Sequence, residues 1–195
     1  MKRTVLSLLL AAGVSSALSG CFALAAGGVA GGALVATDRR SSGSYVDDQG
    51  IEAKVASQLS NKLPSAHINT TSYNRAVLLT GEVPSEEARQ QAELIARATP
   101  NVRRVSDYTV VAPVSGFSER SNDAWITSKV RTRMLDGKGY SPNHVKVVTE
   151  RGVVYLLGLV TPAEGQAVTQ VVSETAGVQK VVTVFESLNE ITPDQ

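Results

Sequence analysis

The sequence predicts an α+β fold in which one small αββαβ domain, two helices packed on a three-stranded mixed sheet, occurs twice in tandem. Three observations predict it. First, the second half of the chain slid back by 77 positions falls on the first: His144-Val145 on His67-Ile68, Val154, Leu156 and Gly158 on Val77, Leu79 and Gly81, and Glu164 on Glu87. Second, the offset drops to 75 at the start of the unit, where Ile126, Val130 and Met134 fall on Ile51, Val55 and Leu59, and to 76 at its end, where Val178-Gln-Lys-Val181 falls on Val102-Arg-Arg-Val105. Gaps in loops and matches in elements are what a duplicated fold leaves behind. Third, each copy opens on apolar residues every four positions, an amphipathic helix, and follows it with two short apolar runs joined by a tight turn.

Before the repeats come two segments of another kind. Met1 to Gly20 has a basic start at Lys2 and Arg3, an apolar run from Val5 to Val14 and small residues up to the cysteine. That order reads as a secretory signal peptide, too short in its apolar run to span a bilayer. It ends Leu18-Ser19-Gly20-Cys21, which resembles the lipobox of bacterial lipoproteins. The resemblance implies that Cys21 is acylated, palmitate included, and becomes the first mature residue. Cys21 is the sole cysteine, and lipidation accounts for a lone thiol in an exported chain. Phe22 follows it, where an Asp would be linked to inner-membrane retention, so the expected address is the periplasmic face of the outer membrane. Residues 21–45, rich in Ala, Gly and Ser, read as a tether with no face to bury.

The first domain is expected over 46–114. Its helix carries Ile51, Val55 and Leu59, its hairpin runs from His67 through the Asn74-Arg75 turn and back along Ala76–Glu82, its second helix starts near Ser85, and Arg103–Ala112 is the last strand. The second domain is expected over 120–189, with a helix carrying Ile126, Val130 and Met134, a hairpin from His144 through Glu150-Arg151-Gly152 to Val160, and a last strand at Lys180–Ser187. Thr161-Pro162-Ala163-Glu164 is a capping box with proline at the first helical position. Residues 190–195 are a tail.

Both copies resemble the BON domain. Val77-Leu-Leu-Thr-Gly81 and Val154-Tyr-Leu-Leu-Gly158 carry the resemblance best, with Asn101-Val-Arg-Arg-Val105 and Gly177-Val-Gln-Lys-Val181 next. It covers about residues 46 to 188 and, together with the lipobox, is similar to the dual-BON outer-membrane lipoproteins of Gram-negative bacteria. The resemblance implies phospholipid binding at the periplasmic face and support of outer-membrane integrity, often at the division site.

Charge and chemistry narrow the function. Without Lys2 and Arg3 the exported chain holds 17 basic and 18 acidic residues. That balance, and export itself, argue against nucleic acid as a partner. No nucleophile–base pair and no phosphate-binding glycine loop is recognisable, so no enzyme and no catalytic residue is expected. No cofactor is expected beyond the lipid on Cys21. His67 and His144 share one position in the two repeats, which reads as a structural role, and two histidines in separate domains make no metal site without further ligands.

The repeats differ most at their first helix. Taking about 100° per residue from Trp125, the core stripe Ile126, Val130 and Met134 lies at about 100°, 140° and 180°, with Lys129 at about 40° and Arg133 at about 80°. The lone tryptophan thus leaves the core face and stands beside cations, while Gly50 holds its place in the first repeat. Trp beside Lys and Arg suits a bilayer interface. The expected site for anionic phospholipid is therefore Trp125, Lys129, Arg131 and Arg133, with Ile126, Val130 and Met134 shaping the helix and partly reaching the lipid, and Tyr73 and the linker residues Gly116-Phe117 joining from nearby. Two other readings stand beside it: burial of Trp125 between the domains, and a structural adaptor that binds an envelope protein.

Overall fold

A computed structural model describes residues 38–188. The expected signal peptide, Cys21, most of the expected tether and the tail lie outside these residues.

Helix α1 (Ser42–Lys62) leads into the hairpin β1 (His67–Tyr73) and β2 (Ala76–Val83), helix α2 (Glu86–Arg97) and the edge segments β3 (Arg104–Asp107) and β4 (Val110–Val111). The second domain repeats the order: α3 (Phe117–Leu135), a 3-10 turn (Pro142–His144), β5 (Val145–Glu150), β6 (Val153–Val160), α4 (Pro162–Ser173) and β7 (Lys180–Ser187). In both sheets the returning hairpin strand is central, antiparallel to its partner and parallel to the last strand.

The helix faces bury as their spacing requires. Ile51, Val55 and Leu59 enter one core with Val77, Leu79 and Ile95, and Ile126, Val130 and Met134 enter the other with Val154, Leu156 and Val168. Ser85 caps α2, and Thr161 and Glu164 close the capping box of α4. Both hairpins turn on two residues with positive φ, Asn74-Arg75 and Arg151-Gly152, the conformation a two-residue connection between twisted strands demands.

Two expectations change. The last strand of the first domain is interrupted: the Asp107 carboxylate accepts from the Thr109 amide at 2.8 Å and its hydroxyl at 2.7 Å. The strand breaks there and resumes in the same register, Leu79 opposite Asp107 and Glu82 opposite Val110. The tether also ends earlier than residue 45. Ser41 caps a helix that starts at Ser42, and Arg39 and Arg40 are tied to the fold. The Arg39 guanidinium forks onto Glu164 at 2.7 and 2.8 Å, and Arg40 pairs with Asp48 at 2.8 Å and lies over the Tyr73 ring.

The sheet faces that carry no helix meet each other. Tyr73 and Leu78 of the first domain pack with Tyr155 and Leu157 of the second, giving layers of helices, sheet, sheet and helices. Pairs between domains rim this contact, among them Arg103 on Glu186 at 2.7 Å and Arg151 on Glu82 at 3.2 Å. Strand β6 and the first half of β2, Ala76–Leu79, are apolar on both faces because both faces are covered.

Candidate functional site

Helix α3 lies in the outer layer of the second domain, so the side opposite its core stripe faces water. Three large apolar side chains stand on that side: Phe117 is 83 % exposed, Trp125 62 % and Leu135 72 %. Counting about 100° per residue from Trp125 puts Phe117 and Leu135 together at about 280°, so they and Trp125 form one stripe along the helix. Solvent-facing helix positions usually hold polar residues, and three large apolar groups on one such face depart from that pattern. Gly116 caps the start of α3, its N–H donating to the Glu119 carboxylate at 2.7 Å.

Cations flank the stripe on one side. Lys129 Nζ lies 5.9 Å from the Trp125 ring centroid and donates to the Ala176 carbonyl at 2.5 Å. Arg133 donates to the Glu174 carbonyl at 3.0 Å and reaches its carboxylate at 3.4 Å. Both carbonyls belong to the end of α4 and the turn after it, where a helix presents unsatisfied oxygens and negative dipole. Trp125, Lys129, Thr132 and Arg133 with Thr175 and Ala176 line a shallow groove there. Gly177, at φ 98°, makes room for it, since a Cβ would meet Lys129 and Ile126. Asn101 takes the same left-handed turn in the first domain, at φ 69°.

Not every residue expected here is here. Arg131 lies on the far flank of α3, its guanidinium 3.5 Å from the Val147 carbonyl, because six residues of helix turn it about 240° from Trp125. Ile126, Val130 and Met134 are at most 2 % exposed; they hold the core and cannot reach lipid. Tyr73 is 4 % exposed between the sheets, its hydroxyl donating to the His144 carbonyl at 3.2 Å, because it precedes the hairpin tip and points to the face the second domain covers. Trp125, conversely, is not buried between the domains. Phe117, expected beside Gly116 in the linker, is instead the first residue of the helix, and Leu135 was legible on the same wheel, had it been extended to the end of the helix.

The two histidines share a backbone role. The His67 and His144 carbonyls sit where a Cβ of Gly81 and of Gly158 would be, which explains why both copies of the best-matching segment end in glycine. Their side chains have different surroundings. Among the described residues no helix is long and apolar enough to cross a membrane.

Comparison with known proteins agrees with the duplication. The family model for the BON domain matches residues 47–113 and 122–188. The chain is 35 % identical to the Outer membrane lipoprotein DolP of Haemophilus influenzae, over 91 % of this chain and 93 % of that one. It is 34 % identical to the 21 kDa hemolysin of Actinobacillus pleuropneumoniae, over 76 % and 78 % of the two chains. With the Osmotically-inducible protein Y of Escherichia coli it shares 29 % identity, over 71 % and 72 %.

Proposed function

The chain belongs to the BON-domain family as a two-domain member of the DolP type, and from that premise we propose that it is an outer-membrane lipoprotein whose second domain binds anionic phospholipid through α3. Cys21 carries the anchor and holds the protein on the periplasmic face. The reading is of a binding protein, not an enzyme, that supports the integrity of the outer membrane, with the division site as its place of action.

The observation that carries it is the exposed stripe of Phe117, Trp125 and Leu135 with Lys129 and Arg133 on its flank. An aromatic ring at headgroup depth with cations at phosphate depth is how a surface helix sits in a bilayer interface. The exposed pair of Arg133 with Glu174 contributes at most about 1 kcal/mol, so a lipid phosphate can replace the carboxylate. A chain already anchored by its lipid needs little more affinity from the helix.

A test follows Trp125 fluorescence in the chain begun at Asp38, which has no anchor but keeps Arg39 and Arg40. Vesicles of anionic phospholipid shift the emission to the blue and zwitterionic vesicles do not. Lys129→Glu with Arg133→Glu removes the response. Indifference to anionic vesicles sinks the reading. It would turn attention to a protein-binding adaptor, for which the exposed Tyr108, Val110 and Val111 on the free edge of the first sheet are the surface to probe.

A further inference from the structure

Between the two sheets lies a cluster that the α3 surface does not use. His67 opens β1, Glu82 lies on β2 and Glu150 closes β5. One donor atom from each, an imidazole nitrogen and two carboxylate oxygens, lie within 4.8 Å of one another. Glu82 is fully buried and Glu150 is 4 % exposed.

A buried carboxylate needs a compensating charge. Glu82 has Arg151 Nη1 at 3.2 Å, His67 Nδ1 at 3.1 Å and the Ser115 hydroxyl at 3.3 Å. Glu150 does not: among the described residues its one hydrogen-bond partner is the Asn69 side-chain amide at 2.6 Å, and it joins no ion pair. Burial, with the charges of Glu82 and Asp123 adding to it against the Asn69 hydrogen bond, pushes the Glu150 carboxyl above the ordinary carboxylate range.

The duplication supplies a control. At an offset of 77, the counterparts of His67, Glu82 and Glu150 are His144, Leu159 and Tyr73. At the counterparts of Glu82 and Glu150 that second place holds no acid, Tyr73 bonding to the His144 carbonyl and Leu159 packing with Tyr73 in the apolar contact between the sheets; the acid near its histidine is Asp38, which comes from outside the repeat. The fold therefore closes without carboxylates at these positions, and the acids on one side need another reason.

We propose that His67, Glu82 and Glu150 bind a single divalent cation of the zinc type, which fastens the hairpin of the first domain to β5 of the second. One imidazole with two carboxylates suits zinc rather than magnesium or calcium, which take oxygen ligands. Bonds of about 2.1 Å to a tetrahedral ion place donors roughly 3.4 Å apart, so the three side chains close by about 1 Å. Ser115 and Arg151 on Glu82, and Asn69 on Glu150, already orient the carboxylates, as partners of metal ligands do. With Arg151 present, a divalent ion balances the three acids Glu82, Glu150 and Asp123. A cleft lined by Tyr108, Asn122, Asp123, Arg151, Tyr155 and Gln179 opens at Glu150, giving an entry path and water for the fourth position. Metal ligands bind in their deprotonated forms, so uptake weakens as pH falls.

The test uses the full lipidated chain in detergent, stripped with a chelator and free of phospholipid, and titrates it with zinc by calorimetry and thermal melting. One zinc per chain is expected. It raises Tm by roughly 5–10 °C at zinc a hundredfold above Kd, and magnesium and calcium do not. Glu150→Gln keeps an acceptor for Asn69 and stands for the protonated acid, so it folds; it abolishes uptake, as does His67→Gln. No zinc uptake by the wild-type chain, or uptake that survives both substitutions, overturns the proposal. The readout involves no membrane, so its outcome is independent of vesicle binding.

Discussion

Asp48 on α1 and Asp123 on α3 hold the same place in the two domains, and each takes both backbone N–H groups of the hairpin turn beside it. Asp48 accepts from Asn74 and Arg75, both at 2.7 Å. Asp123 accepts from Arg151 and Gly152, both at 2.8 Å. The carboxylates thus tie the first helix of each domain to a turn whose residues sit at positive φ. Asp48 takes two more donors, the Ser72 hydroxyl at 2.6 Å and Arg40 at 2.8 Å.

Removing either acid should therefore cost stability in proportion to the donors it leaves buried. Hydrogen bonds to a charged group contribute about 1.5–3 kcal/mol each and are not additive. Asp123→Ala is expected to cost about 2–4 kcal/mol in urea unfolding, and Asp48→Ala about 3–5 kcal/mol. Equal losses at the two positions would mean that Ser72 and Arg40 contribute nothing through Asp48.

Gly81 and Gly158 should both resist a methyl group, and unequally. At each, a Cβ would strike the carbonyl of the facing histidine, which is backbone and cannot swing away. Gly81 also sits at φ 110°, where a side chain is strained whatever the space. Gly81→Ala is expected to lose about 3–5 kcal/mol, and Gly158→Ala about 2–3 kcal/mol. Urea midpoints in the reverse order would contradict the assignment of strain to Gly81.

These features differ in how far the sequence announced them. The helix stripes were legible because Ile51, Val55 and Leu59 recur with the helical period, and the hairpins because their turns fall between short apolar runs. Trp125 was legible as a surface residue because its counterpart Gly50 showed that the core did not need it. Arg131 was misplaced because it was counted among the cations of the helix without its own position on the wheel, about 240° from Trp125. Tyr73 was misplaced for a different reason. Its burial depends on a second sheet whose contacting residues, Tyr155 and Leu157, lie far along the chain, and no local pattern encodes them. One signal was present: Ala76–Leu79 and Val153–Val160 are apolar on both faces, which a sheet open to water on one side would not tolerate. The meeting of His67, Glu82 and Glu150 depends on that same packing.

The corrected assignment of α3 separates function from stability. Trp125→Ala should change unfolding free energy by no more than about 0.5 kcal/mol, because the ring is mostly in water. Met134→Ala or Ile126→Ala should cost about 2–5 kcal/mol through the cavity it leaves. Circular dichroism during denaturation separates the two classes. A large loss for Trp125→Ala would mean that the ring is part of the core.

Arg39 and Glu164 set an acid limit on the contact between the chain's first described residues and the second domain. The Arg39 guanidinium, forked onto the carboxylate, holds the Glu164 carboxyl down to about 2, against an ordinary 4.5. A folded-state value below the unfolded one means that the pair stabilises fully above the unfolded value and loses that contribution as pH falls from about 4.5 towards 2. Glu164→Gln keeps an acceptor for the Thr161 amide but removes the charge. Wild type should be the more stable of the two at pH 7, with the gap narrowing below pH 4.5 and closing near pH 2. Glu150 runs the other way. Its carboxyl is raised, so in chelator its charge costs stability as pH rises above 4.5, and Glu150→Gln should gain on wild type over the same interval. Urea midpoints of the three proteins from pH 7 down to pH 2 read both signs in one series. A gap between wild type and Glu164→Gln that ignores pH would show that the fork is not held in solution.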